Sequence, residues 1–186
     1  MFPALRLVGS VFVHVLMALT LLRPLPALAA STAELDREVD AAVQTLYNSV
    51  PEAQALAAQA RGTLIFPKVV KGGFIFGGQY GEGALRMGGR TVGYYNITAV
   101  SYGLQAGLQE FGYALFFMTD AALQYLDTSE GFEIGVGPSI VIVDEGVAKT
   151  LTTTTVRHDV YAFIFGQEGL MAGLGLQGSK ITRIAR

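Results

Sequence analysis

The spacing of hydrophobic residues in the first third of the chain predicts helices. After residue 30, apolar side chains recur at near-helical intervals and form one stripe, made of Leu35, Val39, Val43, Leu46 and Val50. Ser31 and Glu34 have the spacing of a capping box, in which side chains supply partners for the free amides of a helix start. Pro51 resets the chain, and residues 52–60 predict a second, alanine-rich helix with Gly62 as its C-cap.

Beyond residue 62 the pattern changes to that of β-strands. Runs rich in β-branched and aromatic residues occur at 63–66, 73–79, 91–95, 113–118, 139–143 and 160–165. Several of these runs lack clean alternation, so we expect strands that are buried on both faces or tightly curved. Residues 120–125 predict a short helix with Asp120 as its N-cap. The predicted fold class is α+β, with N-terminal helices followed by a strongly curved antiparallel sheet, a partial barrel.

Glycine is distributed very unevenly and marks the boundary between these two parts. The chain has 23 glycines, and only Gly9 precedes Gly62. Glycine within strand-like segments is typical of bulges, bends and close backbone approach. We therefore predict a single domain, in which residues 30–61 form the helical lead and residues 62–186 form a glycine-rich β core.

Residues 1–29 have the pattern of a secretory signal peptide. Arg6 lies in a short positive n-region, an apolar run extends from residue 7 to residue 22, and Ala27 and Ala29 form an A-x-A-like cleavage site. The competing interpretation is a retained membrane anchor, but the apolar run is short for a bilayer span of about 20 residues. We expect export, cleavage after Ala29 and a periplasmic or cell-envelope location.

Charge and residue types narrow the functional classes. The formal net charge is −2, and cleavage would remove Arg6 and Arg23 without any acidic residue, which lowers the charge by two. No large positive field that would attract nucleic acid is therefore predicted. The sequence contains no cysteine, which excludes disulfides, thiolate metal sites and cysteine nucleophiles. We predict no metal and no cofactor.

The motifs that could carry catalysis lack the context that their chemistry requires. His158 is the one histidine expected after cleavage, and no G-x-S-x-G elbow surrounds a serine. The stretch GLGLQG at 173–178 matches a dinucleotide motif, but the acidic residue needed about 20 residues on is missing. The stretch GGQYGEG at 77–83 lacks the G-K-[ST] ending of a phosphate-binding loop, and a hairpin or bulge is favoured. The chain is predicted to be non-enzymatic.

Positive charge is grouped around the first glycine-rich segment. Lys68 and Lys71 follow Pro67 closely, and Arg86 and Arg90 lie beyond the glycines. If the two segments pair as a hairpin, these four cations could lie at one edge, where they would bind lipid phosphate. The alternative is that Lys68 and Lys71 simply flank a hairpin and remain solvated.

Around these cations the sequence resembles the SYLF-domain family. Residues 60–74 (ARGTLIFPKVVKGGF) resemble the opening of that domain, and residues 77–85 continue with a pattern similar to its G-x-x-G-x-G-x-L motif. Residues 101–107 (SYGLQAG) resemble its S-x-G-x-Q-x-G segment. Residues 166–173 and 176–179 are similar to its K-G-L-F-A-G and L-E-G-S ending.

The resemblance implies a non-catalytic module that binds a lipid or membrane surface. Eukaryotic members bind phosphoinositides and associate with actin regulators, and members of the bacterial branch are exported. For an exported chain it implies an acidic phospholipid or a phosphoinositide-like headgroup as partner, with Lys68, Lys71, Arg86 and Arg90 as the contacts. The alternative is a structural envelope protein that binds an unknown protein partner through a sheet edge.

Overall fold

The computed structural model describes residues 31–73, 76–102, 107–128, 132–133, 137–143, 156–169 and 179–186, without the side chains of residues 101 and 102. The helices are α1 (Thr32–Ser49), α2 (Pro51–Ala57) and α3 (Asp120–Thr128). The strands are β1 (Gly62–Gly73), β2 (Phe76–Met87), β3 (Arg90–Tyr102), β4 (Gly107–Phe117), β5 (Phe132–Glu133), β6 (Ile140–Val143), β7 (Val160–Gly169) and β8 (Lys180–Ile184). The predicted signal peptide and the GLGLQG motif lie outside the described residues.

The strands form a single curled sheet that confirms the α+β prediction. Within the described residues, the order is β5-β8-β3-β2-β1-β4-β7-β6, and the sheet curls into a half-barrel. The prediction of a purely antiparallel sheet is wrong at one margin, because β6 and β7 are parallel. A parallel pair needs a connection of roughly a dozen residues or more, and residues 144–159 provide that length. The sequence pattern does not reveal this crossover.

One face of the sheet, the α1 face, is covered by the two N-terminal helices. The stripe residues Leu35, Val39 and Leu46 are buried against it. On the sheet side the cluster contains Ile65, Ala84, Ala114, Phe116, Phe163 and Phe165. The predicted amphipathic stripe of α1 is therefore confirmed, and its apolar side belongs to the core.

The opposite face, the α3 face, is packed by the short helix. Leu123 and Leu126 of α3 join a cluster that contains Leu64, Phe66, Leu85, Tyr95, Tyr113, Leu115 and Phe117. Leu64, Ile65 and Phe66 thus alternate between the two clusters while all three stay buried. This confirms that strands without clean alternation are buried on both faces.

A glycine allows close approach where β1 and β2 change register. The pairing shifts between Ile65 and Lys68, which marks a β-bulge. A Cβ atom on Gly83 would lie within 2.3 Å of the Ile65 carbonyl oxygen, so no larger residue fits there without movement. The expected role of glycine in bulges and close approach is confirmed at this position.

The helix ends agree with the sequence at one of three caps. The Ser31 hydroxyl accepts a hydrogen bond from the Glu34 amide at 3.2 Å, so the predicted N-cap of α1 is confirmed. The cap of α3 is Thr119, not Asp120, because the Thr119 hydroxyl accepts from the Ala122 amide. Gly62 does not cap α2, since it already opens β1.

Strand positions were predicted better than strand lengths. The prediction of one strand over residues 73–79 is wrong, because β1 ends at Gly73 and β2 begins at Phe76. The short strands β5 and β8 were missed, because two to five residues carry too little pattern to stand out. No helix in the described part of the chain is long and apolar enough to cross a membrane.

Candidate functional site

The structure separates the four cations that the sequence grouped. Lys68 and Lys71 lie on β1 and Arg86 lies on β2, both inner strands of the sheet, so these three residues are not at a sheet edge. Arg86 lies near Thr63 on β1, while Lys68 lies opposite Glu82. Four residues of strand separate Glu82 from Arg86, which corresponds to about 13 Å. Arg90 is exposed at the start of β3.

Lys68 lies on the α1 face among carboxylates. Its ammonium group is 2.8 Å from the Glu110 carboxylate, although 61% of the Lys68 side chain is exposed. The hydrogen bond with Glu110 raises the pKa of Lys68, and the charges of Glu38 and Glu168 add to this effect. Carboxylates therefore outnumber the single ammonium group around this lysine, so the site is not a positive patch.

Arg86 is mostly buried and fastens α1 to the sheet. Its guanidinium group lies 3.0 Å from the Asp40 carboxylate and 3.6 Å from that of Asp36. The Asp36 carboxylate also accepts hydrogen bonds from the hydroxyl groups of Thr91 at 2.8 Å and Tyr94 at 3.0 Å. A cleft of about 390 Å³ opens beside this cluster, but its arginine already has two carboxylate partners. This arrangement indicates a structural role for Arg86.

Lys71 is placed quite differently from Lys68. Only 6% of Lys71 is exposed, and the residues paired with it on both neighbouring strands, Gln79 and Gln109, are also buried. Val69, two residues earlier on the same strand and therefore on the same face, belongs to the α3-face cluster. Lys71 therefore lies on the α3 face, on the other side of the sheet from Lys68.

An exposed apolar patch, defined by Phe76, Tyr80, Val100 and Leu108, lies at the glycine-rich end of the sheet. The exposed fractions of these side chains are 71%, 50%, 83% and 59%. Val100 pairs with Gly78, Gly78 with Gly72, and Gly72 with Leu108. Directly paired residues share a face, so the patch residues share one surface across strands β3, β2, β1 and β4.

The patch lies on the α1 face but beyond the part that α1 covers. Gly78, Tyr80 and Glu82 alternate along β2 towards Ala84, which packs in the α1-face cluster. Charged groups separate the patch from the helix, including Glu82 and the Lys68–Glu110 pair. The Tyr80 hydroxyl donates to the Glu82 carboxylate at 2.6 Å. Burial and this hydrogen bond raise the pKa of Tyr80 to about 12, so the ring stays neutral.

The sequence reasoning missed this patch, although a signal was present. The stretch GGQYGEG was interpreted only as a hairpin or bulge. Phe76, Gly78 and Tyr80 alternate with Gly77 and Gln79, and that spacing puts two aromatic rings on one face of a strand. Which face of β2 is buried depends on the packing of the whole sheet. In the structure the face with Gln79 is buried, and the face with the two aromatic rings is exposed.

The residues closest to a catalytic arrangement form a structural contact. The Asp159 carboxylate accepts hydrogen bonds from both the amide and the hydroxyl of Ser139, at 3.0 and 2.9 Å. These bonds lower the pKa of Asp159. His158 is exposed and its ring packs edge-on against Tyr161. A triad places the histidine between acid and serine, whereas here the acid contacts the serine directly.

A comparison with protein families matches the second half of the chain. Residues 98–185 match the family model described as Ysc84, Las17-binding protein actin regulator. No curated protein matches the chain. The match includes the S-x-G-x-Q-x-G segment at residues 101–107 and the glycine-rich ending, but not the opening at residues 60–74. The match confirms the predicted SYLF recognition: over residues 98–185 the chain is similar to the Ysc84 (SYLF) family, a family of binding domains.

Proposed function

We propose that this protein is a non-catalytic module of the cell envelope that binds a lipid membrane surface through the exposed apolar patch. The observation that carries the proposal is the set of four large apolar side chains exposed on one face at one end of the sheet. Contiguous exposed apolar surface is typical of sites that contact a membrane or a partner. Export, predicted from residues 1–29, would bring the domain to an envelope membrane.

The residue types of the patch and their placement on separate strands suit a shallow contact with a membrane. Full burial of a valine, leucine or phenylalanine side chain contributes about 1.5–3 kcal/mol. Val100, Leu108 and Phe76 point from separate strands, so they can enter the lipid interface together without any change of fold. Tyr80 adds an aromatic ring with a polar end, which suits the boundary between headgroups and acyl chains.

The helical lead is a poor candidate for the membrane contact. An inserted amphipathic helix needs a free apolar face. The apolar stripe of α1 is instead buried, with Leu35, Val39 and Leu46 at most 2% exposed. Asp36 and Arg86 further fasten this helix to the sheet. Insertion of α1 into a membrane would therefore require its apolar stripe to leave the α1-face cluster, one of the two clusters of the core.

Recognition of anionic headgroups by cations is a finer part of the proposal. Lys68 and Arg90 are exposed, and Lys68 lies next to the patch, so these two are the accessible members of the set Lys68, Lys71, Arg86 and Arg90. Because Lys68 is paired with Glu110, its contribution to anionic lipid binding is expected to be small. In flotation on anionic vesicles, Lys68→Glu with Arg90→Glu should weaken binding by less than the patch variant described next.

The test is vesicle flotation of a patch variant against a matched control. Val100→Asp with Leu108→Asp removes two apolar anchors and adds charge at the proposed interface, so binding should fall on the order of 100-fold. Val92→Asp is the control, since Val92 is 44% exposed on the same strand β3 but lies outside the patch. Its binding should stay within about twofold of wild type.

Equal flotation of the patch variant and the wild-type protein, with unchanged circular dichroism, would overturn the proposal. Loss of a protein partner in the patch variant, with no vesicle binding by the wild type, would instead support the alternative of an envelope protein that binds another protein.

A further inference from the structure

The buried polar side chains of the described residues are concentrated in one transverse row of the sheet. They are Lys71, Gln79, Gln109 and Ser179. Lys71 pairs with Gln79 on one side and with Gln109 on the other. Gln79 pairs with Ala99, and Ser179 directly precedes Lys180, the residue that pairs with Thr98. Ser179 therefore continues the same row two strands further on.

This row lies on the α3 face, opposite the exposed apolar patch. Along β4, Gln109 alternates with Leu108, and Phe111, two residues later, belongs to the α3-face cluster. Along β2, Gln79 alternates in the same way with Tyr80 and Gly78. The two surfaces are thus at the same end of the same strands, but on different faces.

Three polar atoms of the row have no hydrogen-bond partner. They are Gln79 Nε2, Gln109 Oε1 and Ser179 Oγ. Each of these residues is at least nine-tenths buried. An unsatisfied buried polar group costs free energy, and native structures generally pair such groups. A row of several such groups is therefore expected where a ligand or ordered solvent completes the hydrogen bonding.

We propose that Lys71, Gln79 and Gln109 bind an oxyanion that carries a hydroxyl, that is, hydrogen phosphate or a phosphate monoester group. Neighbouring strands are about 4.8 Å apart, so Gln79 and Gln109 each lie one strand from Lys71, on the same face of the sheet. The Lys71 ammonium and the Gln79 amide nitrogen donate to the anionic oxygens, and Gln109 Oε1 accepts from the hydroxyl. Lysine is a common phosphate ligand because it supplies a compact charge and three donors.

Beyond the row, the next residues on the same face of the three central strands are glycines. The next row of the three central strands consists of Gly73, Gly77 and Gly107. These glycines place no side chain between the polar row and that end of the sheet. The site is independent of the proposed membrane contact, because it uses another face and other residues.

The test needs no membrane. The purified protein, in a phosphate-free buffer, is titrated with inorganic phosphate and in parallel with sulfate at equal ionic strength. Phosphate at about tenfold its Kd should raise Tm by about 3–5 °C, and sulfate should have a smaller effect because it offers no hydroxyl to Gln109.

Variants locate the effect within the row. Lys71→Met should abolish the phosphate-dependent shift, and Gln109→Leu should remove the preference for phosphate over sulfate. Lys68→Met is the control, since Lys68 lies on the same strand but on the other face, and it should keep the full shift. If Lys71→Met does not fold, Gln79→Leu replaces it, because a neutral side chain of similar size removes one donor of the row and should reduce the phosphate-dependent shift.

The outcomes separate this proposal from the membrane proposal. A wild-type protein that shows no phosphate-dependent shift, or variants Lys71→Met and Gln109→Leu that shift as much as wild type, would overturn it. A shift with free phosphate alone would indicate a soluble ligand. An additional preference for vesicles containing phosphatidic acid, lost in Gln109→Leu, would indicate a lipid headgroup as the source. Either of these last two results supports the site, whatever the patch variant does in flotation.

Discussion

The two ends of the sheet have opposite arrangements of polar and apolar side chains. At the end covered by α1 and α3, both faces are apolar and buried, as Leu64, Ile65 and Phe66 show. At the glycine-rich end, the α3 face buries Lys71, Gln79 and Gln109, while the α1 face exposes Phe76, Tyr80, Val100 and Leu108. At the covered end apolar side chains are buried, as is usual in a folded domain. At the glycine-rich end polar side chains are buried and apolar ones are exposed.

The reversal marks the end of the sheet where the arrangement of side chains is unfavourable for folding, and it is the end where we propose binding. A buried polar group and an exposed large apolar side chain are each informative, because neither is favoured by folding alone. Both occur on the same strands and at the same end. Local departures from the folding rules are expected at functional sites. The covered end therefore acts as the scaffold, and the glycine-rich end carries both proposed contacts.

The largest expected difference between the two ends is in folding stability. Phe163 is buried at the covered end and its ring packs against Phe116 at 5.0 Å between centroids. Phe163→Ala should lower the free energy of unfolding by about 3–5 kcal/mol, because it leaves a cavity. Leu108→Ala, at the glycine-rich end, should change the free energy of unfolding by less than about 0.5 kcal/mol. Urea denaturation of both variants measures the difference, and similar losses would contradict the division into scaffold and contact surface.

A smaller effect is expected where α1 is fastened to the sheet. The Asp36 carboxylate accepts hydrogen bonds from Thr91 and Tyr94 and lies beside Arg86. Asp36→Ala should lower the free energy of unfolding by about 1–3 kcal/mol, since it also leaves the hydroxyl groups of Thr91 and Tyr94 without their acceptor. Asp40→Ala is the control, because Asp40 is largely exposed and forms one ion pair, so its loss should be under about 1 kcal/mol. Equal losses in thermal or urea unfolding would argue against the role given to Asp36.

The smallest effects are expected from two charged groups, Asp159 and Lys68, whose contributions to stability are lost at opposite pH extremes. Hydrogen bonds from Ser139 lower the pKa of Asp159 in the folded state, so its contribution is present above the unfolded pKa of about 3.9 and is lost as the pH falls. Glu110 raises the pKa of Lys68, so that contribution is present below about pH 10.4 and is lost as the pH rises further.

Variants can resolve these two contributions. Asp159→Asn should reduce stability at pH 7 and differ less from wild type near pH 3, whereas Lys68→Met should differ less from wild type above pH 11. Unfolding curves across this pH range check both signs. A stability difference for Asp159→Asn that grows as the pH falls would show that the carboxylate is not favoured by the fold.

The sequence alone determined the parts of this protein that depend on local pattern and composition. The stripe of α1 follows from the 3.6-residue period, and the Ser31 cap follows from the chemistry of a free helix start. The shift to strands after Gly62 follows from glycine and β-branched residues. The motifs at residues 60–85, 101–107 and 166–179 together indicated the SYLF family, whose model matches residues 98–185. These features need no knowledge of distant contacts.

Only the tertiary structure decided which groups meet and which remain exposed. Lys68 and Lys71 look equivalent in the sequence, yet strand alternation around a bulge places one beside Glu110 and buries the other between two glutamines. The exposed apolar patch requires four strands in register, and the parallel β6–β7 pair requires a crossover. Pairing between strands distant in sequence is fixed by packing of the whole sheet, so a local pattern cannot reveal which face of a strand is covered.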